Sequence, residues 1–191
     1  EGEMMNLQTL LRGSRVQLTA LTQDDLPIVA AWYQDAEFMR LLDATPAYPK
    51  TAELLRTWLE DAQKASDGYL FGIRLLDDEA LIGFIELDGI LWAHGTAWFS
   101  IAISPREYWE QGYGTEAARL ALTFAFQELN MHRVQATVFS YNRRSMAMFE
   151  RLGFRHEGAF REFLHRDGQR YDMLLYGILR REFERPLEMT V

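Results

Sequence analysis

From Arg15 to Leu21 (RVQLTAL) apolar and polar residues alternate, the period of a strand with one buried face. The period then lengthens. Thr22 is a good helix N-cap, Asp24 and Asp25 suit the positive end of the helix that follows, and apolar residues recur through Trp32. Asp43 to Lys50 (DATPAYPK), with two prolines, predicts a loop. Thr51 caps a second amphipathic helix, with Leu54, Leu55, Trp58 and Leu59 on one face. Beyond it the period returns to two. Tyr69–Leu75 and Ala80–Leu87 predict strands joined by the turn Leu76–Glu79, and Ala97–Ile103 (AWFSIAI) a more deeply buried one. Gly112-Tyr113-Gly114 opens a long helix to about Asn130, with Leu120, Ala121 and Phe124 facing inward. Val134–Ser140 predicts a strand and Arg143–Leu152 a helix. Closing strands near Glu157–His165 and Arg170–Leu179 turn at Asp167-Gly168.

The predicted order is βαα, βββ, αβαββ, without repeat or linker. It describes one mixed α/β domain over residues 14–185. Residues 1–13 are expected to be a flexible N-terminus or tag remnant, and 186–191 a C-terminal tail. The 191 residues are enough for one self-sufficient core. The absence of cysteine excludes disulfides, thiolate metal sites and a cysteine nucleophile. His94, His132, His156 and His165 are scattered without ligand spacing, so no metal is expected. A net charge of −8 opposes nucleic-acid binding and favours cationic partners only mildly. No apolar run approaches the ~20 residues that cross a bilayer, and the start does not resemble a signal peptide. The expected location is cytoplasmic, without nucleic-acid or membrane partners.

Chemistry concentrates in Ile101–Ala118 (IAISPREYWEQGYGTEAA). A buried strand ends, two glycines follow, and a helix begins. Such glycines admit close backbone approach, and the helix start aims unpaired N–H groups at one point, where phosphate oxygens bind. Tight packing alone would also explain them. Gly112, Gly114 and Ala117 satisfy G-x-G-x-x-A, the dinucleotide fingerprint. That motif normally follows the first strand of a sheet and has an acid ending the next. Here the next strand ends in Phe139-Ser140-Tyr141. A nicotinamide oxidoreductase is therefore disfavoured, not eliminated.

A second segment, Asn142–Phe154 (NRRSMAMFERLGF), follows directly on the strand Val134–Ser140. Together with EQGYGTEA it resembles the GNAT superfamily of N-acetyltransferases, most closely its ribosomal-protein N-terminal and polyamine branch. The resemblance implies a central mixed sheet of about seven strands, with flanking helices and acetyl-CoA between two splayed parallel strands. It implies that backbone groups of Gln111, Gly112, Tyr113, Gly114 and Thr115 hold the pyrophosphate. The free edge near Ile101 and Ile103 would pair with the pantetheine arm, flanked by Asn142, with Phe149 at the thioester end. Arg106, Arg143 or Arg144 would meet the outer phosphates. Each residue also has a plain structural role open to it. Asn142 suits a helix N-cap, Phe149 a core position, Ser145 a helix filler and Gly153 a helix C-terminus.

The implied reaction is direct acetyl transfer in a ternary complex to a primary amine, on a small molecule or a protein N-terminus. The enzyme would be a monomer or homodimer. Many relatives carry a tyrosine acid where Phe149 stands, so Ser145, one turn earlier, is the substitute catalytic acid. Trp109 replaces the usual arginine or glutamine before the loop. Glu86, amid Phe84, Ile85 and Leu87, is the expected catalytic base, although simple alternation would turn it to solvent. Glu162 and Asp172 are weaker candidates, and Trp32, Tyr33, Trp92 and Trp98 are candidate pocket walls. The alternative is a fold that binds acyl-CoA without catalysis.

Overall fold

A computed structural model of the chain describes residues 10–183. Seven strands form one sheet in the order β1-β2-β3-β4-β5-β7-β6. The left half is an antiparallel run of β1 (Val16–Ala20), β2 (Tyr69–Leu75), β3 (Leu81–Leu91) and β4 (Thr96–Ile103). The right half holds β5 (Arg133–Phe139), β6 (Arg155–Arg166) and β7 (Gln169–Leu179). β4 and β5 join the halves and run parallel. The β6–β7 turn places Asp167 and Gly168 at positive φ (51° and 77°), as its sequence predicts.

Helices cover the two faces unequally. α1 (Leu26–Trp32), α2 (Ala36–Leu42) and α3 (Ala52–Lys64) bury Leu26, Val29, Phe38, Leu55 and Leu59 against Phe84 and Ala102 on one face. α4 (Tyr113–Thr123) and α5 (Arg143–Arg151) lie on the other, where Ala117, Ala118, Ala121 and Phe149 meet Ile85, Phe99, Val134 and Val138. Strand alternation feeds both cores: Phe84 faces α1–α3 and Ile85 faces α4. A short α6 (Arg180–Phe183) follows β7.

The structure departs from expectation in places that have local causes. α2 was not anticipated. Asp35 caps it, its carboxylate accepting from the N–H groups of Glu37 (2.9 Å) and Phe38 (3.4 Å). The helix predicted to Asn130 is α-helical only to Thr123 and continues as a wider π turn over Phe124–Glu128. β3 runs on to Leu91 rather than stopping at Leu87. Leu54 is exposed, leaving Leu55 and Leu59 as the buried face of α3. Residues 10–13 belong to the packed structure: Leu10 is buried, and the Leu18 N–H bonds the Leu11 carbonyl at 2.8 Å. Residues 1–9 and the expected tail 186–191 lie outside the described residues. Among the described residues no helix is long and apolar enough to cross a membrane.

Candidate active site

β4 and β5 pair over Thr96–Trp98 and Arg133–Gln135 only, then separate. β3 stays bonded to β4 through Ile103, and β7 to β5 through Phe139, so each strand is held by its outer neighbour. The Ser104 N–H bonds the Ile82 carbonyl at 2.9 Å. Antiparallel alternation then directs the main-chain N–H and C=O of Ile101 and Ile103 away from β3, into the gap. A cavity of about 400 Å³ opens there. Its walls come from β4 (Ile101, Ile103), the loop and start of α4 (Trp109, Gly112, Gly114, Thr115), α5 (Asn142, Ser145, Met148) and α2 (Phe38, Leu42).

The loop entering α4 is shaped by backbone conformation. Glu110 has φ 60°. Gly112 is left-handed at φ 87° and is followed by the helical Tyr113, a pairing that turns successive N–H groups into a concavity for anions. Glycine occupies the position because a Cβ is disfavoured at that φ. The first bond of the helix runs from the Glu116 N–H to the Gly112 carbonyl (3.0 Å). The N–H groups of Tyr113, Gly114 and Thr115 therefore have no partner within the helix, and its dipole adds positive potential there.

Eight of the expected residues meet in this one cavity: Ile101, Ile103, Gly112, Gly114, Thr115, Asn142, Arg144 and Ser145. Asn142 fills both roles weighed for it. Its Oδ1 caps α5 by accepting from the Ser145 N–H (3.2 Å), and the residue also forms part of the cavity wall.

Other expectations need correction. Phe149 does not line the cavity. It is buried in the core against Phe99 (5.8 Å), Phe154 (4.9 Å) and Tyr176 (6.1 Å), because its helical position turns it toward the sheet. The side chains of Gln111 and Tyr113 stay outside the cavity lining, whereas the expectation for both concerned their main-chain N–H groups. The Gln111 carbonyl accepts from Arg15 (2.9 Å), and the Tyr113 ring packs under the Arg15 guanidinium (4.8 Å). The Ile103 carbonyl is already taken by the indole N–H of Trp109 (2.6 Å), so the free edge is centred on Ile101. Arg106 is bound to Asp35 (2.8 Å) and Glu37 (2.7 Å) instead of facing the gap. Arg144 stacks over Trp109 at 3.6 Å and lines the cavity, as does Arg151. Arg143 is exposed and lies outside the lining.

Glu86 is not in the cavity wall either. It lies on β3 between Leu70 and Ser100, two cross-strand pairs along from Phe84–Ala102 and on the same face. Ala102 does line the cavity, so Glu86 stands beside the cavity's inner end on the α1–α3 face. Burial, and then the charge of Asp88, push its carboxyl up to about 7. Glu162 and Asp172 are engaged with each other at the β6 bulge, where the Glu162 N–H donates to Asp172 (2.8 Å). The wall formed by Phe38, Leu41 and Leu42 was missed. Its signal was present: Asp35 precedes apolar residues at helical spacing.

A parallel strand pair splayed beside a backbone anion cradle makes this a mixed α/β protein whose sheet opens on one side to an anionic ligand. Comparison with known proteins makes the class specific. Residues 15–155 match the family described as "Acetyltransferase (GNAT) domain", and the chain belongs to that family. It is 31% identical over 176 residues to an SPbeta prophage-derived uncharacterized N-acetyltransferase of Bacillus subtilis (strain 168), covering 92% of this chain and 96% of the relative. It is 30% identical over 152 residues to the spermidine N(1)-acetyltransferase of Escherichia coli (strain K12), covering 78% and 76%. The fold matches that of a spermidine N-acetyltransferase from Vibrio cholerae solved in complex with CoA and spermine. That match has a TM-score of 0.82 at 24% identity, over 91% of this chain and 100% of the other. The enzyme class is N-acetyltransferase, and the nicotinamide alternative falls away.

Proposed function

We propose that the chain transfers an acetyl group from acetyl-CoA to a primary amine by direct attack, with both substrates bound together. One observation carries this: the gap between β4 and β5 presents free main-chain groups of Ile101 next to an unpaired helix start. The site fits the donor by chemistry. The N–H groups of Tyr113, Gly114 and Thr115 suit a pyrophosphate. Arg144 and Arg151 supply cations at the cavity wall, and neither forms an ion pair among the described residues. An extended arm can bond the Ile101 edge as an added strand. When bound, acetyl-CoA supplies the activated thioester.

The remaining chemistry falls to this chain's own groups. The Ile101 N–H, aimed into the gap, suits the oxygen that gains charge as the amine attacks. Glu86 takes a proton from the incoming ammonium, directly or through water; at about 7 its carboxyl is ionised often enough to do so near neutrality. The nitrogen lone pair forms the new C–N bond and the C–S bond breaks; the Ser145 hydroxyl on the cavity wall passes a proton to the departing sulfur and takes the nitrogen's second proton in its place. Phe149 in the core has no part in this, so the missing tyrosine hydroxyl does not argue against catalysis.

Incubating the chain with acetyl-CoA and a panel of polyamines, simple amines and N-terminal peptides tests the proposal. Amine-dependent thiol release with a matching acetylated product supports it. Binding of acetyl-CoA without turnover of any amine would leave an acyl-CoA-binding fold without catalysis.

A further inference from the structure

The glycine loop is held from its outer side by Arg15, the residue that precedes β1. The main chain of Arg15 is itself fixed. Its N–H bonds Glu116 Oε1 (2.8 Å), and its carbonyl accepts the Leu76 N–H (2.9 Å). Its guanidinium grips the segment that enters α4. Nη1 donates to the Gln111 carbonyl (2.9 Å), Nε donates to Glu116 Oε2 (3.1 Å), and the guanidinium carbon lies 4.8 Å over the Tyr113 ring. A Cβ at position 112 would stand 3.0 Å from Nη2, a second reason for glycine there. Glu116, in the first turn of α4, also accepts from Ser14 Oγ (3.2 Å) and the Val16 N–H (3.4 Å). Burial opposes its charge, but the donors of Arg15, Val16 and Ser14 outweigh it and hold the carboxyl below its usual value. Arg15 does not line the donor cavity. It lines a second one, of about 460 Å³, on the other side of Gly112 and Thr115.

We infer that Arg15 is a positioning residue of the donor site, setting the Gln111–Gly112 peptide so that the Gly112 N–H turns toward the pyrophosphate of acetyl-CoA. Within a trans peptide the C=O and N–H point in opposite directions. Arg15 draws the Gln111 carbonyl outward, and the Gly112 N–H therefore faces the other way, joining those of Tyr113, Gly114 and Thr115. Without the guanidinium, that carbonyl is a partial negative charge free to swing toward the phosphates, which it repels. The task needs a fork as well as a charge, since one planar group bonds the loop carbonyl and the Glu116 carboxylate together. The inference rests on the acetyl-CoA reading of the cavity.

Arg15→Met keeps an apolar stem and removes the fork. Three donors read its role: acetyl-CoA, acetyl-dephospho-CoA, which keeps the pyrophosphate but lacks the 3′-phosphate, and S-acetylpantetheine, which has neither. The expected result is a KM raised about tenfold for the first two, the scale of one hydrogen bond to a charged group. The kcat, the KM for the amine and the use of S-acetylpantetheine should stay unchanged. Arg15→Lys, which keeps the charge without the fork, should show most of the same rise, and it carries the comparison if Arg15→Met does not fold. Unchanged kinetics in both variants, or full recovery in Arg15→Lys, would overturn the inference. So would a rise confined to acetyl-CoA, which would put Arg15 on the 3′-phosphate itself, or an equal loss with S-acetylpantetheine, which would make its role one of overall structure. A folded wild-type chain that binds no acetyl-CoA would overturn the acetyl-CoA reading itself, and this inference with it.

Discussion

In the proposed reaction the donor side and the acceptor side are built from different materials. On the donor side the working groups are main chain: the edge of β4 at Ile101 and the first N–H groups of α4. On the proposed acceptor side the working group is a side chain, Glu86, carried by β3 and remote in sequence from the glycine loop. A main-chain site needs particular conformations, so it selects glycine at a left-handed position and a cap at a helix start. A side-chain site needs only that distant residues be brought together, and many sequences can meet that demand. The donor side accordingly has a local signature in the sequence, whereas the acceptor side has almost none.

This contrast can be tested by substitutions on each side. Among those that leave the donor gap open, Glu86→Gln should cost most. Loss of a general base is expected to lower kcat/KM by about a hundredfold or more without changing acetyl-CoA affinity. Because Glu86 must be ionised to accept a proton, wild-type kcat/KM should rise with pH through about 7. Asp88→Asn removes a like charge and should move that rise to lower pH. Burial, the larger cause, remains, so the return is partial. A profile unchanged in Glu86→Gln would assign the base elsewhere.

Ser145→Ala should have a smaller effect, roughly tenfold on kcat, in the range of a modest proton-transfer contribution. Acetyl-CoA affinity should be nearly preserved, since the Ser145 N–H that bonds Asn142 is main chain. If the slow step is insensitive to this change, water protonates the thiolate and Ser145 is only a wall residue. Smallest is Asn142→Ala. Loss of its cap should reduce stability by about 1 kcal/mol, read in a denaturant titration. Removal of the same side chain from the cavity wall should weaken acetyl-CoA binding as well. An effect on stability alone would restrict Asn142 to capping.

The sequence carried the element order because each strand and helix has a period that its own residues express. β3 was underestimated because Asp88 and Gly89 interrupt its apolar pattern, yet its pairing with β4 continues past them to Leu91. α2 escaped because it is short and its cap, Asp35, lies close behind the helix before it. On the donor side, Gly112, Gly114 and Asn142 were legible through backbone demands. Phe149 was not, since the rotation of α5 against the sheet decides whether position 149 meets ligand or core. The occupation of the Ile103 carbonyl by Trp109 was illegible for a related reason: it depends on where the loop returns a side chain to its own strand. Tyr33, one of four aromatics expected to wall a pocket, is packed in the core against Phe38.

The most direct test of the donor site is calorimetric titration of acetyl-CoA into the intact chain and into Gly114→Trp. A Cβ at position 114 would lie 3.5 Å from Ile103 and 3.6 Å from Met148, so an indole there must extend into the gap. Saturable binding by the wild-type chain, lost in a variant that still melts cooperatively, is the predicted result. A folded wild-type chain that binds no acetyl-CoA, or a folded variant that binds it equally well, would contradict the account.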